Sequence, residues 1–384
     1  MTFLQNQTQR FQKYSFEEKL LILSTISIFL PMPITALWLM LVLGWGIFHK
    51  KISFSWQKND PLHLILLFSI LEIIVSFFYQ NFIGVGNAIG ILFVALYIMF
   101  YRQTIHKDLF HVLLNIVLVG SVIVAIYGLF EFQYLSELKG YSFFDFHVQN
   151  SPKGRIHVFF GNANLYAMMI EFFIAICLYQ WVNTNSIQRK TIYVMIGLLN
   201  IGMLYLTGCR AAFIPLAIIV PLFFIIYGNK KYITIALSLI GLGFIFIFLF
   251  PDLIPRLDDL KTVNSRFKIW NGAIQIIQMY PLLGNGPQAY GHLNQIYHWH
   301  KAPHAHNIYL DSLASYGLIG TLILLRSIYL MIKEQYKIRN NKARFALFIS
   351  IWTIILVHGF FDCTLNVLCT SMLALMILFY TKEK

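Results

Sequence analysis

Long apolar runs follow one another from about residue 15 onward, separated by short polar connectors. Most approach the ~20 residues that an α-helix needs to cross a ~30 Å hydrocarbon layer. They predict membrane helices over about 15–30, 33–48, 62–79, 85–101, 109–132, 162–182, 191–207, 211–227, 232–250, 305–332, 344–361 and 365–381. The first two form one apolar stretch that Pro31 and Pro33 divide. Proline removes a backbone donor and clashes with the preceding turn, so the stretch reads as a tight hairpin of two helices, with one kinked helix as the alternative. The expectation is an all-α, polytopic membrane protein with about 12 spans and a single membrane domain over 1–384.

Two connectors on one side are longer than a turn, about 133–161 and about 251–303. Loops of that length in compact proteins are usually functional or disordered. Within the second, Phe267, Ile269, Trp270, Ala273, Ile274, Ile277 and Tyr280 recur mostly at helical spacing. Ser265 is placed to be the N-cap, and Pro281 and Gly284 to stop the helix. An interfacial helix over about 265–280, lying on the outer surface, is expected.

Composition sharpens the class. Hydrophobic residues make up 58% of the chain and charged residues 12%, against about 25% charged in soluble domains. The net charge of +13 does not point to nucleic acid, because no basic face with interleaved aromatics emerges. Nineteen of the 29 Lys and Arg residues fall in one alternate set of connectors: 1–19, 49–61, 102–108, 183–190, 228–231, 333–344 and 382–384. The other set holds nine, of which Arg256, Lys261, Arg266, Lys268 and Lys301 lie in the long loop, where the positive-inside rule has little force. Both termini are therefore expected in the cytoplasm and both long loops outside. Residues 1–19 are polar and the first apolar run lacks a small-residue cleavage site, so that run is expected to stay as a helix.

The same inventory limits the chemistry. No glycine-rich phosphate loop is present, so energy for any reaction must arrive with the substrate. The four cysteines show no C-x-x-C pair or zinc spacing. Cys209 and Cys363 both fall near outward helix ends, which leaves a disulfide open beside isolated thiols. Charges at membrane level are costly, and each asks for a reason. Arg210 stands alone in a short outward turn, Arg155 precedes the sixth span, and Arg266 opens the amphipathic helix. The planar guanidinium fork suits diphosphates, so three outward arginines make a diphosphate site without metal. Asn162 and Asn164 are placed to cap the sixth span.

Histidines concentrate at His292, His298, His300, His304 and His306. Their spacing does not match a helical zinc site and no carboxylate cluster accompanies them, so metal is not expected. A single His as general base, or orienting an acceptor hydroxyl, fits better. His306 is favoured, because the tenth span would hold it rigidly. Asp311, deeper in that span, is placed to pair with an arginine, fix a histidine tautomer or pack as a paired acid. Glu72 and Glu171 read as acids with structural partners inside spans, and Arg326 as a snorkelling residue.

These segments resemble a known family. His306-Asn307, nine residues, then Gly317-Leu-Ile-Gly320 is similar to the H-N-x9-G-x-x-G signature of bacterial O-antigen ligases. Thr207-Gly-Cys-Arg210-Ala-Ala resembles that family's Ser-Arg segment, with Cys209 in place of Ser. Gly161-Asn-Ala-Asn164 resembles its N-P-N segment, with Ala163 in place of Pro. Ser265-Arg266-Phe-Lys-Ile-Trp270 and Pro281-Leu-Leu-Gly284-Asn-Gly286 resemble the opening of its large loop. The likeness spans roughly 110–380 and extends to Wzy-type polysaccharide polymerases.

It implies a GT-C-like, inverting, metal-independent glycosyltransferase of the bacterial inner membrane that needs no cofactor. The donor would be an undecaprenyl-diphosphate-linked glycan, and the acceptor a glycan or lipid-linked hydroxyl on the outer side. Arg210 and Arg266 would hold the diphosphate and His306 would serve the acceptor. Substrate contacts would come from Arg155, Asn164, His304, Asn307 and Asp311. A lipid-linked glycan transporter or flippase is the rival from another class, although its usual paired repeats with broken midplane helices are not seen in the sequence.

Overall fold

The computed structural model describes residues 13–52, 59–143, 145–255 and 260–380. Of the basic residues that set the orientation, Arg10, Lys58, Arg256, Lys382 and Lys384 lie outside the described residues, as do the terminal segments 1–12 and 381–384. Among the described residues, regular structure is helical throughout.

Helices α1 (Phe16–Ser27) and α2 (Met32–Phe48) form the expected hairpin. Ser15 and Glu18 cap α1 reciprocally, Pro31 occupies the N-cap of α2, and the Thr35 hydroxyl donates to the Ser27 carbonyl across the turn. There follow α3 (Pro61–Phe78), α4 (Phe82–Thr104), α5 (Lys107–Leu138), α6 (Ala163–Val182), α7 (Ile187–Leu206), α8 (Phe213–Tyr227) and α9 (Lys230–Leu249). Then come α10 (Leu260–Met279), α11 (Ala289–Tyr297), α12 (Ile308–Lys337), α13 (Lys342–Gly359) and α14 (Leu368–Leu378). Every predicted span thus has its helix. Eight segments among the described residues are long and apolar enough to cross a membrane: α3, α4, α5, α6, Arg210–Tyr227, α9, α12 and α13. Helices α2 and α14 are apolar but shorter.

Helix α6 is the centre of the bundle. It is buried on nearly every side and packs against α5, α7, α8 and α13. Helix α9 is its opposite: only Ala236 is buried and its Leu, Ile and Phe side chains face outward, as they would toward lipid. Polar contacts gather at two ends. At one, Glu18 meets His106 at 2.7 Å and Asp60 meets Arg102 at 2.8 Å. At the other, Arg155 meets Thr207, Tyr205 meets Leu253, Asn81 meets Asn285 and His306 meets Asp362. The connectors assigned to one side by charge therefore share one end of the bundle.

Boundaries differ from expectation in three places. Helix α5 runs on to Leu138, and Glu131, near the expected end of the span, accepts from the backbone N–H groups of His157 and Val158. Helix α10 starts at or before Leu260, so Ser265 lies inside it and is not its N-cap. The apolar face of α10 is covered by protein: Ile269, Ala273 and Ile276 pack with Ala289, Tyr290 and Leu293 of α11 and with Ala305, while Phe267 and Ile274 stay exposed. The Pro281 stop holds.

The third difference is a break. Helix α12 is interrupted at Gly317, whose φ of +59° and ψ of −167° leave the helical region. The 281–286 loop repairs it. Leu318 and Ile319 donate to the carbonyls of Pro281 and Leu282, and Asn285 and Gly286 donate back to Ala314 and Ser315. Irregular backbone at membrane depth survives only when protein satisfies it in this way. The spaced glycines gain a reason here. A Cβ on Gly284 would collide with the Ser315 carbonyl, and one on Gly317 with the 282–284 backbone. Gly284→Ala, at φ +67°, is expected to cost about 1–3 kcal/mol or more and to lower the melting temperature of the protein in detergent. Gly197→Ala in α7, where a Cβ meets open space, serves as control; equal melting of the two variants would refute the packing argument.

Candidate functional site

The site forms where four connectors meet. Asn162 caps α6, its Oδ1 accepting from the Asn164 N–H at 2.7 Å. That leaves the Asn164 side chain free to point into the site. Its Oδ1 accepts from Arg155 Nη2 at 2.6 Å, and its Nδ2 donates to Asp362 Oδ2 at 2.5 Å. The Arg155 Nε donates to the Thr207 carbonyl at 2.6 Å, and the arginine stem lies over Gly208, where a Cβ would touch it. Arg155 therefore staples the first long loop to the turn that carries Arg210.

Asp362, just beyond the end of α13, is the hub. Its second oxygen, Oδ1, accepts from the Cys363 N–H at 2.8 Å, faces His306 Nδ1 at 2.9 Å and lies 3.7 Å from His304 Nε2. The carboxylate side chain is 2% exposed, against 23% for His306. Burial alone would raise its pKa. The hydrogen bond from His306, the charges of both histidines and the Asn164 amide outweigh burial and hold Asp362 well below the usual carboxylate range. A carboxylate at Nδ1 keeps the imidazole proton there and leaves Nε2 with a free lone pair. His304 is set the other way round. Its Nδ1 accepts from the His306 N–H at 3.2 Å, so its proton sits on Nε2, toward Asp362. Burial lowers the His304 pKa despite the opposing pull of Asp362.

The two histidines are held by the turn before α12, not by the helix. His306 has φ +49°, and the rigid-helix expectation is corrected accordingly. Asn307 is the N-cap: its Oδ1 accepts from the N–H groups of Tyr309 and Leu310, and its Nδ2 donates to the Phe360 carbonyl. It fixes backbone and does not face outward. Asp311 is buried and accepts from the Ala305 N–H at 2.9 Å and from Asn366 Nδ2 at 3.3 Å. Its role in the structure is to anchor the histidine turn.

Arg210 and Arg266 border this network. Cys209, next to Arg210, feels the charges of Arg155, Glu171 and Asp362, which puts the Arg210 turn beside the hub. Burial pushes the Cys209 thiol up to about 11, so it stays an unreactive thiol; all four cysteines are free and Cys209 does not bridge to Cys363. Arg266 projects from α10 near the end of α13: its charge reaches His358, and Trp270, one turn on, packs on Phe360 with ring centroids 6.0 Å apart. Beyond the arginine turn, a recess of about 300 Å³ opens between the first long loop and residues 252–255, lined in part by Asp145, His147, Tyr205 and Asp252.

Two features escaped sequence reasoning. Asp362 was never singled out, although an acid in a short connector at that end of the bundle poses the same question as Arg210. Beneath it, His358 and Glu171 pair at 2.7 Å, wholly buried, and tie α13 to α6; Glu171 thus has the structural partner expected of it. Glu72 has none among the described residues. No carboxylate cluster stands beside the histidines in the sequence, but the fold brings one carboxylate to them. One ligand atom each from His304, His306 and Asp362 lies within 4.8 Å of the others, a set able to hold a metal ion. The 2.9 Å contact to His306 shows how the same groups satisfy one another directly.

Residues 194–325 match the family model described as O-antigen ligase, about a third of the chain, which bears out the resemblance carried by the Arg210, Arg266 and His306 segments. That domain supports a glycan-processing role of the ligase and polymerase kind. No curated protein matches the chain. Arg155, Asn164 and Asp362 lie outside the matched segment, yet hydrogen bonds bring them to it.

The charge balance predicts a pH response. Both shifts are downward, so each group contributes stability at high pH that is lost on acidification. The His304 contribution falls away below about pH 6.5 and that of Asp362 only below about pH 4. Melting temperatures of wild type and His304→Gln, followed from pH 8 to pH 4, are expected to diverge on acidification, the wild type losing stability first. A wild type that gains stability over pH 6.5 to 5 relative to the variant would contradict burial as the controlling effect.

Proposed function

We propose that this protein is an inverting glycosyltransferase that moves a glycan from an undecaprenyl-diphosphate carrier to an acceptor hydroxyl on the outer side of the bacterial inner membrane. The observation that carries it is the His306–Asp362 pair, in which Nδ1 faces the carboxylate, with the turn that carries Arg210 and helix α10 with Arg266 close by. In this reading both termini are cytoplasmic and the end of the bundle holding the site faces outward.

The steps follow from the groups present. The acceptor hydroxyl gives its proton to His306 Nε2 as its oxygen attacks the anomeric carbon. The bond from that carbon to the diphosphate oxygen breaks, and its electron pair stays on the diphosphate. Arg210 and Arg266 neutralise the growing negative charge; such preorganised cations are commonly a large catalytic contribution. They supply the positive charge directly, so metal independence is part of the proposal. Asp362 holds the imidazole in the receptive tautomer and stabilises the imidazolium until its proton passes to solvent or product. Arg155 and Asn164 keep Asp362 in place, and Asn307 and Asp311 keep the histidine turn in place. His304 stays near enough to contact the acceptor. The recess beside Tyr205 gives a glycan chain room next to the Arg210 turn.

Our reading is ligation of a finished glycan, with polymerisation as the alternative within the same family; the match to an O-antigen ligase model supports a reaction of this kind. The test is product formation by purified protein given a lipid-linked glycan and an acceptor. Arg210→Ala, Arg266→Ala and His306→Ala are each expected to remain folded in detergent and to lose product. Asp362→Asn is expected to lower kcat by about 10²-fold or more with little change in KM. Normal product from all three alanine variants would sink the proposal, and chain growth without a separate acceptor would reassign it to polymerisation.

A further inference from the structure

Glu72 is fully buried on α3, and neither of its carboxylate oxygens has a partner among the described residues. Ser76, one turn further along the same face, has an unpartnered buried Oγ. So does Ser315 on α12, and Asn285 in the repairing loop has an unpartnered Oδ1. These groups surround the break in α12. Gly320 approaches so closely that a Cβ there would stand 2.7 Å from Glu72 Oε1, and one on Gly286 would collide with Ser76 Oγ. Gly286 in turn donates its N–H to the Ser315 carbonyl.

The backbone at the break is satisfied by the loop, so what remains unpaired is a set of side-chain oxygens: two from a carboxylate, two hydroxyls and one amide carbonyl. A buried carboxylate without a counter-charge is among the most costly groups a protein can hold. No Lys, Arg or His among the described residues forms an ion pair with Glu72. An all-oxygen donor set selects a hard cation. One carboxylate calls for a single positive charge, and broken helices in membrane proteins commonly create such sites.

We propose that Glu72, Ser76, Asn285 and Ser315 form a sodium-ion site at the break in α12. Five oxygens on short side chains suit Na⁺ better than the larger K⁺. The ion would join three segments at one point: α3, the loop that ends α10, and α12 one turn below Asp311. It would thereby lock helix α10, which carries Arg266, against the helix that follows His306.

The test uses the purified full chain in detergent and does not depend on catalysis. Equilibrium dialysis against ²²Na⁺ is expected to show saturable binding near one ion per chain. Melting temperature is expected to rise with NaCl at constant ionic strength, less with KCl, and not with choline chloride. Glu72→Gln keeps the shape and removes the charge, so it should abolish both effects while melting in choline at or above the wild-type temperature. Ser315→Ala, which leaves the charge in place, is expected to weaken ²²Na⁺ binding several-fold and serves if Glu72→Gln does not fold. Absence of ²²Na⁺ binding by wild type, or binding retained by Glu72→Gln, would overturn the site. So would stability that follows pH and not sodium, because a proton would then supply the charge.

Discussion

A carboxylate withdrawn from water must find its compensation in fixed groups, and Asp362 finds it in four groups drawn from three connectors. Its oxygens take an amide from the start of α6, a ring nitrogen from the turn before α12, a second ring nearby and the next backbone N–H of its own turn. Removing any partner from a buried charge leaves a penalty larger than the worth of the contact itself. The loops are therefore held by a shared debt of charge compensation more than by their own packing. That explains how segments without regular structure can present His306 reproducibly.

The second constraint is the cost of unpaired backbone in an apolar medium. Helix α12 breaks at Gly317, yet the N–H groups of Leu318 and Ile319 and the carbonyls of Ala314 and Ser315 are taken up by the 281–286 loop. The close approach demands glycine at 284 and 317. One consequence is mechanical: helix α10 ends in the same loop, so its position is set by the break and not by a free hinge. Arg266 and His306 are thus referred to one frame, although forty residues separate them in the chain.

Much of this was legible in the sequence. Hydropathy found a helix in each apolar run, and eight segments among the described residues are long and apolar enough to cross a membrane. The proline pair divided α1 from α2 for a purely local reason. Charge spacing sorted the connectors into two sets that the structure gathers at two ends. What failed were judgements that depend on partners distant in sequence. Ser265 looked like a cap because a serine precedes an apolar period, but the helix had begun at or before Leu260. The histidines looked bare of carboxylates because Asp362 is 56 residues away. Asn307 and Asp311, expected at the substrate, also bond to the backbone of Phe360 and Ala305, which nothing in the local sequence announces.

His306 itself shows why the site is built this way. A non-glycine residue in the left-handed region is strained by about 1 kcal/mol, and a helix position would have avoided it. Helical backbone, however, runs N–H groups and side chains in fixed relation. It would not let the same residue donate its N–H to His304 while turning its ring to Asp362. The positive φ permits both, and the Asn307 cap begins the helix immediately afterwards, so the strain is confined to one residue. The turn trades a small backbone cost for a ring whose Nδ1 is committed and whose Nε2 is not. That asymmetry between two nitrogens of one side chain is what a general base requires.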